Sequence, residues 1–178
     1  PYGILTSDIL KKIKPNIIKK IEKDFKNYFS DSKIPEGKNY LSLQIAQKLT
    51  NDFLDFESKL IIEKEEKNIN IIEKEVRLSY NFQLENIVFN LIGNVDRIDL
   101  YEDQLRIIDY KTGYVQQSDL IFEDYSELTN KYSKEKAFQL LMYAFLYLSN
   151  NPKELNREVI AGNFSFKNLK DGLIKISK

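Results

Sequence analysis

Residues 93 to 113, GNVDRIDLYEDQLRIIDYKTG, constrain the fold more tightly than any other stretch of the chain. Two β-rich runs flank a short polar connection, the signature of an antiparallel hairpin. If Leu100 and Leu105 close a four-residue loop, YEDQ, cross-strand partners sum to 205 in residue number. Asp99 then faces Arg106, Ile98 faces Ile107, and Asp96 faces Asp109. The last pairing is costly, because opposed residues stand about 4.5–5.5 Å apart at Cβ and like charges there repel. Alternation puts Asp96, Ile98, Leu100, Leu105, Ile107, Asp109 and Lys111 on one face. Two opposed carboxylates ask for a shared proton or a cation between them. Lys111 supplies one positive charge; a divalent metal would supply more and could offset charge growing on a phosphate oxygen. The lysine would then hold the attacking water or the phosphoryl group. A solvated hairpin rim, where Asp and Lys are ordinary residues, is the competing reading.

Composition narrows the chemistry. The 178 residues suffice for a sizeable core, and their 42% apolar and 30% charged content is that of a globular protein. No apolar run approaches the length of a membrane span and no secretory signal is visible, so no membrane partner is expected. Histidine is absent, which removes the commonest general base and transition-metal ligand. Any metal must be held by oxygen, which favours Mg²⁺, Mn²⁺ or Ca²⁺. Cysteine is absent too, so disulfides are excluded and a cytoplasmic setting is expected. The formal net charge of zero argues against a wholly basic nucleic-acid binder and leaves room for a local patch. The sequence begins at Pro1 and stops inside a strand-like stretch, as expected of a piece of a longer chain.

Elsewhere, Ile9, Ile13, Ile17, Ile21, Phe25 and Phe29 recur every fourth position and predict a helix over 7–30, with Pro15 kinking or restarting it. A loop, SDSKIPEGKN, precedes a second helix whose apolar face carries Leu41, Ile45, Leu49, Phe53, Phe56 and Leu60 and which frays in EKEEKN. IIEKEVRLSYNF alternates as a half-buried strand with Val76, Leu78 and Tyr80 on one side. Residues 114–134 read as a polar, irregular connection of the kind that often carries function. A strong helix over 135–149 follows, then strands at REVIAGNFSF and GLIKIS. Together these predict a single α/β domain over 1–178 with a partly antiparallel sheet.

At the hairpin the sequence resembles the PD-(D/E)XK nuclease superfamily, specifically the nuclease domain of the RecB/AddB recombination-repair type. GNVDRID is similar to that group's G-x-x-D-R-[IL]-D, and IIDYKTG to its [IVL]-[IV]-D-Y-K-[ST]-G. QLLMY (139–143) is similar to its Q-x-x-x-Y helix, and KEVRL (74–78) to its strand glutamate before an apolar-x-apolar run. The resemblance covers roughly residues 73 to 147 and implies a restriction-endonuclease-like fold, a central mixed β-sheet flanked by helices. It implies that Asp96 and Asp109 are metal ligands, that Glu75 completes the acidic cluster directly or through water, and that Lys111 orients the nucleophilic water. Gln139 and Tyr143 would line the site or a DNA channel. Tyr110 would pack on the other strand face, and Gly113 would permit the turn after the strand. The implied activity is Mg²⁺- or Mn²⁺-dependent hydrolysis of DNA phosphodiesters, as an exonuclease in double-strand-break processing. The implied partners are DNA and a helicase region of the same chain or of another subunit.

One position departs from the pattern. Related domains carry a histidine ligand in the first helix, as G-x-x-x-H; here Gly3 is followed by Ser7, which as a residue type suits a helix N-cap. The alternative is therefore a nuclease-like module that binds DNA or protein and cuts weakly or not at all. Some relatives also hold an iron–sulfur cluster through four cysteines, and the absence of cysteine excludes such a cluster from this stretch of sequence. The first-helix lysines, Lys11, Lys12, Lys14, Lys19 and Lys20, read as a solvated face rather than a phosphate contact.

Overall fold

The computed structural model describes residues 3–29, 37–63 and 68–178. The chain divides into two compact units: Leu5–Asn68, and Pro1–Ile4 with Ile69–Lys178.

The first unit is helical. α1 runs from Ser7 to Tyr28 without a break at Pro15, and α2 from Lys38 to Glu63. The N-cap of α1 is Thr6, whose hydroxyl accepts from the Ile9 amide at 3.2 Å; Ser7 is the first helical residue rather than the cap. The buried stripe of α2 also differs from the expected one. Leu43, Phe53, Leu54 and Ile61 are buried, whereas Leu41 and Ile45 are exposed. A ladder of i, i+4 apolar positions drifts around a helix of 3.6 residues per turn, so one spacing cannot stay on one face over 26 residues. The expected fraying at EKEEKN falls in part outside the described residues, as does most of the 30–39 loop; Lys38 and Asn39 already belong to α2.

The second unit is a six-stranded mixed sheet in the order β1-β2-β3-β4-β5-β6. Its strands are β1 (Gly3–Leu5), β2 (Ile69–Leu84), β3 (Ile87–Tyr101), β4 (Gln104–Lys111), β5 (Val159–Ser165) and β6 (Leu173–Lys175). β2, β3 and β4 form an antiparallel meander, β5 lies parallel to β4, and β6 returns antiparallel. The parallel pair requires a crossover, and this contains α3 (Gln117–Leu120), α4 (Glu127–Asn130) and α5 (Glu135–Asn150). The connection over 114–134, expected to be irregular, thus holds two single-turn helices.

The β3–β4 register has the expected sum of 205, but the loop is tighter than four residues. Tyr101 pairs with Gln104, leaving Glu102 and Asp103 as a two-residue turn with both φ positive, 52° and 64°. That is the primed turn geometry whose twist matches the flanking strands.

Leu105, Ile107, Leu140, Tyr143, Tyr147 and Ala161 belong to one buried cluster, with α5 laid over the sheet. Val95 and Ile98 also join it, although an odd spacing should send them to opposite faces. β3 therefore changes face between them. β2 matches the change, because its partners for these residues are Val76 and Glu73. The ladder passes from Lys74↔Arg97 to Val76↔Val95, skipping Glu75 and Asp96, and Glu75 takes a left-handed φ of 47°. Such a conformation costs a non-glycine residue about 1–3 kcal/mol.

Candidate active site

The face switch decides where Asp96 lies relative to Asp109. The β3–β4 ladder ends at Arg97↔Ile108, one step before the expected Asp96↔Asp109 pair. Beyond it Asp96 bonds β4 through its side chain, its Oδ2 accepting the Tyr110 amide at 2.7 Å. The two aspartates still feel each other, and the Asp96 charge is one of the influences raising the Asp109 pKa. They are brought together by a side-chain bridge rather than a ladder pair.

Asp109 is 5% exposed and sits near the C-terminal end of β4. Its Oδ2 is 2.8 Å from Lys111 Nζ and accepts from Asn163 Nδ2 at 2.8 Å. The same Asn163 nitrogen reaches the Asp109 carbonyl at 3.2 Å. Burial is the main influence holding the Asp109 carboxyl above its ordinary value of 3.8; Lys111 draws it down, Asp96 raises it and Asn163 lowers it. The balance is a carboxylate whose charge is incompletely compensated.

Lys111, on the same face two residues along, also donates to Gln139 Oε1 at 2.9 Å. Gln139 Nε2 in turn donates to the Tyr143 hydroxyl at 2.8 Å. Gln139 and Tyr143 are one turn apart on α5, which makes this relay possible. Both share the sheet-facing side of the helix with buried Leu140 and Tyr147, while Phe138 and Phe145 are more exposed. Burial and the two aspartate charges hold the Tyr143 phenol above its usual pKa, so it stays protonated. Because its oxygen accepts from Gln139, its hydrogen remains available to donate.

Tyr110 packs away from this site, as expected of its strand parity. It stacks on Phe164 and Phe166 at centroid distances of 6.3 and 5.7 Å, and its hydroxyl accepts from Arg97 Nη1 at 3.0 Å. Gly113 does not have a positive φ, and a Cβ there would meet open space, so the turn does not demand glycine. Its carbonyl instead accepts the Ser165 hydroxyl at 2.8 Å.

The remaining acid, Glu75, is exposed on β2 at the skipped position beside Asp96. Among the described residues no group of three or more acids is gathered where it could hold a metal ion. The assembled set is Asp96, Asp109, Lys111, Gln139 and Tyr143, while Ser7 lies in the helical unit.

Sequence reasoning passed over Asn163. It pairs with Asp109 in the parallel β4–β5 register, is fully buried, and its Oδ1 has no hydrogen-bond partner among the described residues. Its signal was in the sequence: an asparagine inside VIAGNFSF, where β-branched and aromatic residues are favoured. A buried amide there has to be serving another polar group.

A family model for the PD-(D/E)XK nuclease superfamily matches residues 14–175. No curated protein and no solved structure gave a match. The match covers β2 to β6, the crossover helix and every residue of the assembled site, and the mixed sheet flanked by helices is the superfamily's architecture: the chain belongs to the PD-(D/E)XK nuclease superfamily.

Proposed function

We propose that this protein is a DNA nuclease of the RecB/AddB recombination-repair type, acting as an exonuclease beside a helicase region of the same chain or of a partner subunit. The observation that carries the catalytic part is Asp109: a buried carboxylate, close to a second carboxylate, held by the lysine two positions on. The type rests on the motif resemblance at GNVDRID, IIDYKTG and QLLMY.

A divalent cation fits this donor set. Asp96 and Asp109 offer only oxygen, and a carboxylate held above its ordinary pKa by burial and a like charge is relieved by a cation. The two aspartates would hold Mg²⁺ or Mn²⁺, with Glu75 as a third acid across β2. When bound, the ion supplies Lewis-acid stabilisation of charge on the scissile phosphate. The chain's own groups do the rest. Lys111, anchored on one side by Asp109 and on the other by Gln139, presents a fixed positive charge to the attacking water or a phosphate oxygen. Tyr143 offers its hydroxyl hydrogen to the same region, and Asn163 fixes the orientation of the Asp109 carboxylate.

The test is release of nucleotides from linear DNA in Mg²⁺ or Mn²⁺, compared with Asp109→Ala and Lys111→Ala. Equal release by the substituted proteins would overturn the assignment. A second reading, binding of DNA or protein without cutting, is favoured by Ser7 at the place of the expected histidine. It is separated from the first by calorimetry: DNA affinity without Mn²⁺ binding supports it, and tight Mn²⁺ binding counts against it.

A further inference from the structure

Beside the assembled site lies an apolar groove of about 510 Å³ between α5 and β3, lined by Ile92, Gly93, Phe138, Gln139, Met142 and Tyr143 among others. Its origin is visible in the register. β4 leaves β3 at Arg97, so the β3 edge from Ile87 to Asn94 has no strand partner on that side among the described residues. At Gly93 the helix comes down onto the strand: a Cβ there would lie 2.9 Å from a Leu146 methyl and 3.0 Å from the Tyr143 ring. Phe138 and Ile92 stand at the groove with 43% and 52% of their surface exposed.

Gln139 lines this groove and also a polar cleft formed with Lys111, Glu135 and Lys136. In the cleft Lys111 is paired to Asp109, and Lys136 lies 3.5 Å from Asp119. One side of Gln139 is therefore apolar and aromatic, and the other is polar, lined by the Glu135 carboxylate and by two ammonium groups that each have an aspartate beside them. That division matches the two halves of a nucleotide, an aromatic base and a phosphate. Non-specific single-strand binders combine these same two elements.

Resting on the nuclease reading above, we propose that the α5–β3 groove receives an unpaired nucleobase of the strand whose phosphate enters the Lys111 cleft, with Phe138 as the stacking surface. In a duplex the base is already stacked and paired, and reaching the groove would require unpairing it at an energetic cost.

The experiment uses the full chain in EDTA, where a metal-dependent cut cannot proceed, and a labelled oligothymidylate dodecamer followed by fluorescence anisotropy. A single abasic residue is moved along the strand. For the unsubstituted protein, one position is expected to weaken binding about tenfold, the size of one lost base–aromatic stack. Phe138→Ala should shrink that penalty to about twofold or less, and Phe138→Tyr should restore it; Phe138 is exposed, so neither substitution threatens the fold. Asp109→Ala should retain the abasic penalty even where it abolishes cleavage. A flat abasic profile, or an undiminished penalty in Phe138→Ala, would overturn the proposal. If those arms fail while Asp109→Ala still abolishes cleavage, the nuclease reading stands and the groove assignment alone falls. Competition by an unrelated extended peptide, with no competition by unlabelled oligothymidylate, would likewise overturn it by assigning the open β3 edge to strand addition.

Discussion

Two aspartates on opposite faces of one hairpin are buried to nearly the same degree and have been given opposite surroundings. Asp99, fully buried, accepts from Arg97 Nε at 2.6 Å, Arg106 Nε at 2.6 Å and Arg106 Nη2 at 2.9 Å. The Arg106 guanidinium also lies 4.6 Å from the Tyr101 ring centroid. Asp109, 5% exposed, has one lysine, one neutral amide and a neighbouring carboxylate. The first is compensated by two planar, permanently charged forks, an arrangement that fixes strand register and leaves the carboxylate little further capacity. The second is under-compensated and retains an appetite for positive charge. Exposure alone does not separate these two acids; the count and kind of their partners does.

The contrast can be broken by substitution. The largest expected effect is on the Asp109 side: Lys111→Ala or Asp109→Ala should lower cleavage of linear DNA by about a thousandfold or more, on the scale of losing a central electrostatic group. The matching change at Asp99 should act on stability instead. Asp99→Ala leaves two buried guanidiniums without their shared anion and should cost about 3–5 kcal/mol in urea unfolding. If Asp99→Ala spared stability and abolished cleavage, the division of roles between the faces would be wrong.

A subtler test uses the sign of the Asp109 shift. Its folded pKa is raised, so the native state binds more protons than the unfolded chain between pH 3.8 and that higher value. Stability in the absence of metal therefore falls as pH rises through this window, and the penalty persists at neutral pH. Asp109→Asn should consequently raise Tm by a few degrees at pH 7 in EDTA while abolishing cleavage, and the gain should vanish at pH 3. A lower Tm at pH 7 would show that the Lys111 pair outweighs burial. Asn163→Ala should reduce cleavage about 10- to 100-fold, the usual cost of losing a group that orients a metal-binding carboxylate, with weaker Mn²⁺ binding by calorimetry. The smallest effect is expected for Tyr143→Phe, a few-fold loss of kcat with the helix intact, because only one hydrogen-bond donor is removed.

Much of this was legible in the sequence for local reasons. The Asp99–Arg106 pair and the sum of 205 follow from hairpin parity, and the two-residue turn changed the loop without changing the register. The 3.6-residue periodicity of EKAFQLLMYAFLYLS located α5, and its resemblance motif singled out Gln139, which meets Lys111, and Tyr143, which meets Gln139. Strict alternation failed at Asp96, because no pattern of residue types announces a face switch shared by two strands. The left-handed Glu75 that accompanies it is a backbone property invisible in EKEVRL. Asn163 was missed because its meaning depends on a parallel pairing 54 residues away, which hairpin arithmetic cannot reach. The α2 face was misplaced by extending one spacing too far.

That long separation also says when the site comes into being. The β3–β4 hairpin closes over a two-residue turn, whereas Lys111–Gln139 and Asp109–Asn163 join positions 28 and 54 apart. Chain-closure entropy favours the hairpin as an early structure, with Asp109 still hydrated on its open flank. In that order the carboxylate would lose its water only when β5 docks, so the strand that brings Asn163 to Asp109 is also the one that buries the candidate site. A chain building itself in this order would leave the Asp109 carboxylate hydrated until β5 lies beside β4.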